Sequence, residues 1–491
     1  MKTVTKFLAL YSYLSLCLCV SAVNISAQET PPEPGKPKTV TVPAVKKSKL
    51  PNGLTVAVVE RPNVPIVTVR LLVKSGASSE DASKAGLANL TASMLTKGTK
   101  TRTATQIAEQ IEFLGASIDN GAGWNNSTVA VTVTSDKIDE AMAILSDVVL
   151  NPAFKEEELT LLKSQAEDGL TYNLKQPGFL ATYVASKYTF GEHPAGGTPA
   201  SLAAISVADV SGFHSANFKP ENAVLIFTGD ITAAKANEVA GKAFGSWKGK
   251  ALKDSTKSSA SAGAGGSNAA DAAAKRLLVI DLPKSGQALV SYQKAVRNVG
   301  RSSDQYYPSS VLNSLLGGGY SSRLNQEIRI KRGLSYGAGS NFGWRSTETN
   351  FAARAQTKNE SAAQVTELVL AEIKRLTEGE IADVELTPRK SVLTGGFGRN
   401  LETTAGLAAA ISDLYSFGIP AAELNKYMPS VNAVSDDQIR EFAKANLMGG
   451  DIIIVGDYSI FKDDLAKRFP NMQVDVIKAD EIDLSKDNLR K

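Results

Sequence analysis

The run "NAVLIFTGDIT" at residues 222–232 is an apolar, strand-like stretch that ends in Gly-Asp, and a second run of the same design, "GGDIIIVGDYS", occupies 449–459. Gly229 and Gly456 stand 227 positions apart. A pattern that returns at this distance marks a duplicated unit. Between the two copies, "DSTKSSASAGAGGSNAADAAAK" (254–275) is built of Ser, Ala, Gly and Asp and offers almost nothing to bury, so it reads as a flexible linker. The expected organisation is a first half at 47–252, a linker at 253–275, a second half at 276–475 and a short tail at 476–491. Each half has about 205 residues, the size of an ordinary domain.

Local patterns assign the elements. "GLTVAVVER" (53–61) and "IVTVRLLVKSG" (66–76) carry the alternation and β-branched content of strands, with a turn at "PNVP" between them. Ile107, Ile111 and Leu114 recur at helical spacing in "TATQIAEQIEFLGA". "TVAVTVTS" (128–135) is again a strand, and helices are expected from about 84, over 138–151 and over 155–174. The second half repeats strand "ALVSYQKAV", helix "YYPSSVLNSLLGGG", strand "NFAARAQT" and helix "SAAQVTELVLAEIKRLTEG". Blocks of strands interspersed with helices of ten or more residues predict an α+β fold. The expectation is two homologous halves, each with helices packed on a mostly antiparallel sheet, forming a clamshell.

Composition bounds the rest. A chain of 491 residues with 43% hydrophobic and 21% charged residues is globular and too long for one ordinary core. Residues 1–27 combine Lys2 and Lys6 with the apolar stretch "FLALYSYLSLCLCVSAV" and small-residue exits at Ala22 and Ala27, the layout of a secretory signal. Cleavage is expected after Ala27, with Ala22 as the second site. The alternative, an uncleaved anchor, has an apolar run short of the roughly 20 residues that a spanning helix needs. Both cysteines, Cys17 and Cys19, fall inside this leader. The mature chain is then exported, periplasmic or secreted, without thiol chemistry or disulfides. Its net charge drops from +4 to about +2 once Lys2 and Lys6 are removed, which argues against nucleic acid as a partner. Residues 28–46, rich in proline and lysine, are expected to be an extended, mobile lead-in.

Several segments, in order, resemble one family. They are "LPNGLTVAVVERPNVP" (50–65), "MLTKGT" (94–99), "YTFGEHPAGGTP" (188–199), "NFKPENAVLIFTGDI" (217–231) and "LNSLLGGGYSSRLNQEIRIKRGLSYG" (312–337). From about residue 48 to 470 the chain resembles the pitrilysin and insulin-degrading enzyme family of inverted zincins, which includes the mitochondrial processing peptidase and core subunits of the respiratory complex. In active members the helix leading into "MLxKGT" carries His-x-x-Glu-His, two imidazoles one helical turn apart on one face and a carboxylate base beside them. Counted back from Met94, the resemblance puts the two imidazole positions at Asn89 and Ser93 and the base at Ala92. The third ligand, a Glu about eight residues before a proline, maps to Gly169. No metal is expected to bind this chain in the family's way.

The chain has two histidines, His193 and His214, neither with a ligand-spaced partner, and both read as ordinary polar or packing residues. "GLSYG" (333–337) satisfies the Gly-x-Ser-x-Gly expression, but no histidine follows Ser335 to act as its base. Glycine-rich "LLGGGYSS" lacks the spacing of a nucleotide loop. A better reading of the region comes from the resemblance. Active relatives use an Arg and a Tyr seven residues apart, present here as Arg329 and Tyr336, with Arg332 as the second choice for the cation. The resemblance implies that Tyr336 donates a hydrogen bond to the oxyanion of the tetrahedral intermediate and that Arg329 holds a substrate carbonyl or carboxylate. The expected function is therefore a non-catalytic subunit of an exported heteromeric zinc metallopeptidase, with zinc in a homologous partner and peptides or unfolded proteins as substrate. The alternatives are a non-enzymatic scaffold of the same fold and a self-sufficient metallopeptidase with unrecognised ligands.

Overall fold

The computed structural model describes residues 40–249 and 274–491; the leader, most of the lead-in and most of the expected linker lie outside the described residues. In the first half the alternating runs become β1 (Lys46–Lys49), β2 (Thr55–Glu60), β3 (Ile66–Val73), β4 (Ser117–Ala122), β5 (Ser127–Thr134) and β6 (Ala223–Gly229). They form one six-stranded sheet in the order β1-β2-β6-β3-β5-β4. The second half gives β7 (Ala274–Asp281), β8 (Ala288–Arg297), β9 (Ser335–Trp344), β10 (Glu348–Thr357), β11 (Gly450–Gly456) and β12 (Val474–Lys478), in the order β12-β7-β11-β8-β10-β9. β2 runs parallel to β6, as β7 does to β11, and the strands from β6 to β4 and from β11 to β9 are antiparallel. The duplication read from the two Gly-Asp runs is thus a duplication of topology over five strands of each sheet; the sixth differs, β1 lying antiparallel to β2 and β12 parallel to β7.

β6 and β11 are those two runs, and each is buried at every residue. A strand that reads as unbroken apolar residues must be covered on both faces. In β6, Ala223, Leu225 and Phe227 face the helices of their own half, among them Leu87–Met94 and Ile138–Leu150. Val224 and Ile226 point the other way, into a cluster with Leu407, Ala408, Ile411 and Leu414 from the second half's helix Thr404–Ser416. The exchange is reciprocal. Ile452 and Ile454 of β11 face their own half, and Ile453 and Val455 lie in one cluster with Leu180, Ala181 and Val184 of the first half's helix Pro177–Tyr188. The closing glycine is forced by crowding: at Gly229, φ is +126° and an added Cβ would lie 2.1 Å from the Ile66 carbonyl oxygen.

Polar contacts fasten the exchanged helices. Thr228 Oγ1 donates to Thr404 O at 2.8 Å, Arg61 Nη1 to Leu401 O at 2.6 Å, and Arg276 Nη2 to Tyr188 O at 2.7 Å. The Arg345 guanidinium grips Glu192 with two bonds of 3.2 and 3.1 Å.

Two expectations are corrected. Residues 40–46 are not a mobile lead-in: Val42 is only 6% exposed in the cluster between the halves, and the Asn425 side-chain amide accepts from Val42 N (2.8 Å) and donates to Val42 O (3.1 Å). The tail expected at 476–491 is folded as well. Ile477 ends β12 in the core, and Leu484 and Leu489 are buried beside helix Pro177–Tyr188. In the tail the apolar residues are too widely spaced for periodicity to show, and both segments find their cover on the other half. The last two residues of the expected linker, 274 and 275, belong to β7 (Ala274–Asp281).

Because each sheet depends on a helix from the other half, the halves are expected to unfold together. Ile411→Ala, at a fully buried site between them, is expected to cost about 2–5 kcal/mol. Chemical denaturation followed in single-tryptophan variants retaining Trp247 or Trp344 should give coincident transitions; two separated midpoints would contradict the shared core.

Candidate functional site

Helix Leu87–Met94 keeps the frame of a metal helix. Leu87, Ala88, Leu90 and Met94 enter the core, so apolar burial alone holds it in place. Its start is capped from a distance: the Glu80 carboxylate, with no exposed side-chain surface, accepts from Gly86 N at 2.8 Å and Ala88 N at 2.6 Å. A carboxylate there satisfies two orphan amides and complements the positive end of the helix dipole.

The ligand positions have other duties. Asn89 Nδ2 donates to Ala195 O at 2.8 Å and fastens the helix to the 193–198 loop. Ala92 is fully buried and its carbonyl accepts from Asn120 Nδ2 of β4 at 2.6 Å. Ser93 is half-buried, and Gly169, half-buried on the adjacent helix Glu156–Asn173, has open space where a side chain would start. An amide, a methyl, a hydroxyl and a bare backbone cannot take the place of two imidazoles and two carboxylates. His193 Nε2 does lie 3.1 Å from Glu80 Oε1, but that carboxylate is already committed to the helix amides. Among the described residues no three His, Cys, Asp or Glu side chains are grouped to hold a metal ion. Zinc does not fit this chain's site.

The Arg-Tyr stretch is assembled. Residues Asn325–Ile330 form one turn of π-helix, a geometry that recurs at functional sites, and it places Arg329 over two tyrosine rings. The guanidinium carbon is 4.8 Å from the Tyr336 ring centroid and 5.0 Å from that of Tyr320. Both rings stand out into solvent, Tyr336 at 88% exposure. Asn325, buried, ties the two sides together: its Nδ2 donates to Tyr320 O at 2.5 Å and its Oδ1 accepts from Ala338 N of β9 at 3.3 Å. Among the described residues Arg329 makes no ion pair, whereas Arg332 is spent on Glu327 Oε2 at 2.5 Å. Burial pushes the Glu327 carboxyl up, but hydrogen bonds from Lys331 and Arg332 outweigh it and leave it below the usual carboxylate range. Arg329 is therefore the cation left free beside Tyr336. Tyr320 and Asn325 carry no motif of their own, and only the three-dimensional turn reveals them.

The glycine-rich loop is explained by packing. A Cβ on Gly317 would lie 2.2 Å from Ser340 N, because the helix Tyr306–Leu316 ends against β9. Ser335 Oγ lies 2.6 Å from both Gly337 O and Gln356 O, to one of which its single proton is donated, and it accepts from Gly337 N at 3.0 Å, contacts that settle the start of β9.

Two family models match this architecture, an insulinase (peptidase family M16) model over residues 55–182 and a peptidase M16 inactive domain model over residues 204–393. The chain belongs to the M16 peptidase family. The first match contains the emptied ligand positions and the second contains Arg329 and Tyr336. An uncharacterized zinc protease of Rickettsia felis is 26% identical over 395 residues, covering 79% of this chain and 92% of the relative. Another, from Mycobacterium leprae, is 28% identical over 296 residues, 60% of this chain and 64% of the relative. A crystal structure of a peptidase M16 inactive domain from Pseudomonas fluorescens superposes with a TM-score of 0.74 at 25% identity, over 84% of this chain and all but 2% of that one (98% covered). A protease from Helicobacter pylori has the same fold, with a TM-score of 0.77 at 20% identity and 85% and 100% coverage.

The histidines of this M16 chain are packing residues. His214 Nε2 donates to Val149 O at 2.9 Å, its ring stacks on Phe218 at 4.7 Å and meets Phe154 at 5.3 Å. Burial pushes its pKa down, and the bond to Val149 only partly opposes this.

Two outcomes are expected. Purified chain dialysed against zinc-free buffer should retain far less than one zinc per molecule by mass spectrometry of the metal; stoichiometric zinc would overturn the assignment of Asn89, Ala92, Ser93 and Gly169. The second concerns His214, whose folded pKa lies below its unfolded value of about 6.5. Below that pH the unfolded chain takes up a proton that the folded chain refuses, so stability falls as pH drops through this window until the folded pKa is reached. His214→Gln should flatten that part of the stability profile in urea titrations between pH 7 and pH 5; an unchanged slope would remove His214 as its source.

Proposed function

We propose that this chain is the non-catalytic subunit of an exported, heteromeric zinc peptidase, and that it lends Arg329 and Tyr336 to the site of a zinc-bearing homologous partner. One observation carries the reading: a ligand-free helix kept intact by packing coexists with an assembled, solvent-facing Arg329-Tyr336 pair. A tyrosine held out of the core beside an unpaired arginine contributes little to folding, and its worth lies in what it can touch.

The roles follow from chemistry. The partner supplies the metal and the base. The Tyr336 hydroxyl, free of intramolecular partners among the described residues, is a donor for the oxyanion that forms at an attacked peptide carbonyl. Arg329, braced by two rings, offers a planar fork to a substrate carbonyl or carboxylate. Peptides or unfolded segments are the substrate class that this division of labour serves. The leader at 1–27 supports export to the periplasm or beyond.

The test is a pull-down of the tagged mature chain from its own host, with the eluate assayed on a quenched peptide. A co-eluting chain of similar size with His-x-x-Glu-His and chelator-sensitive cleavage is expected. Arg329→Ala and Tyr336→Phe should then lower turnover by about ten- to a thousandfold, in the range of lost oxyanion donors, without loss of co-elution. Undiminished turnover would end the reading, and recovery with unrelated envelope proteins would favour a scaffold of the same fold.

A further inference from the structure

A second concave surface lies away from Arg329 and Tyr336, where the N-terminal segment crosses from one half to the other. It is a trough of about 550 Å³ with apolar walls from Val42, Val45, Tyr415 and Ile419, and with Lys47 and Lys74 at its rim. Its volume falls within the range of small-ligand sites, about 300–1,000 Å³.

The two lysines stand on the sheet face that the second half covers. Lys47 is registered opposite Ala57, which belongs to the cluster between the halves, and Lys74 follows two residues after Leu72 of the same cluster. Lysines on an edge strand commonly discourage strand pairing. Lys46 does so from the opposite face of β1 and is neutralised by Glu60 at 2.7 Å. Lys47 and Lys74 have no such compensation: among the described residues neither forms an ion pair, and the Lys47 ammonium lies 5.8 Å from the Tyr415 ring centroid. Burial, and then the charge of Lys47, push the Lys74 ammonium below the usual lysine range. Both lysine residues are exposed, so the pair costs the fold little, and an anion seated between them gains from both charges.

We propose that this trough binds an anionic amphiphile, a single carboxylate head between Lys47 and Lys74 with an apolar body laid along Val42, Val45 and Ile419. A fatty acid and the C-terminal residues of an apolar peptide share that chemistry. The binding involves no partner subunit and stands apart from the peptidase reading.

Isothermal titration of the mature chain with dodecanoate, below its micelle concentration, tests the proposal. Saturable one-to-one binding is expected. Lys74→Met and Lys47→Met keep the aliphatic stem and should each weaken it by roughly tenfold, the loss of one charge-assisted bond. Lys74→Arg should retain it, which separates lost charge from a lost fold. Acetyl-Leu-Val-Leu with a free carboxylate, compared with its amide, distinguishes a peptide source from a lipid one. Absence of saturable binding to either carboxylate, equal binding of dodecylamine, or unaltered affinity in both methionine variants would overturn the proposal.

Discussion

The structure rests on the exchange of one helix between its halves. β6 and β11 are apolar on both faces, and the helices of one half can cover only one of them. Thr404–Ser416 seals the outer face of the first sheet and Pro177–Tyr188 seals that of the second. Burial of this kind is non-directional, so threonine and arginine bonds at or just before the ends of the swapped helices supply the register that the apolar contacts lack. Duplication created two sheets, each incomplete, and the remedy for each is the other.

Independence of fold from metal follows. Helix Leu87–Met94 is anchored by its apolar side and by Glu80 at its start, so nothing in its stability requires zinc. Once the ligand positions were free, Asn89 took a contact with the Ala195 carbonyl. Such a contact contributes about 1 kcal/mol net, small beside the core, which is why the frame survives with its chemistry replaced. The Arg329 region is different in kind. Its geometry depends on a turn of π-helix and on the buried Asn325, features that a fold seeking only stability gains little from.

Much of this was legible in the sequence, and the reason is periodicity. Central strands and the helices that pack on them repeat their apolar residues every second or every third to fourth position, so the duplication and the element types could be read directly, whereas the ligand positions came from the family resemblance, counted back from Met94. What escaped is long-range and unpatterned. Glu80 and His193 are 113 positions apart, Val42 and Asn425 are 383 apart, and no spacing rule links either pair. The folded tail escaped for the same cause: Leu484 and Leu489 are single apolar residues in a polar stretch, and their burial is decided by a helix some 300 positions earlier. Arg329 and Tyr336 were found through family resemblance, whereas Tyr320 needed the turn itself to bring its ring beside the guanidinium.

The two halves also show what the relic helix is for. In each sheet the last strand, β4 or β9, is an edge with one neighbour, and in each half an earlier helix, Leu87–Met94 or Tyr306–Leu316, is tied to it. Asn120 of β4 donates to Ala92 O; Ser340 of β9 donates through its backbone to Gly317 O at 3.1 Å and through its hydroxyl to Asn313 Oδ1 at 2.8 Å. Edge strands have weak intrinsic definition because half of their backbone groups lack a strand partner. A helix packed at their back and bonded to them compensates. That duty is common to both halves and needs no metal. In the first half the ligand-free helix performs it alongside its core packing, and in the second it holds the strand that carries Tyr336.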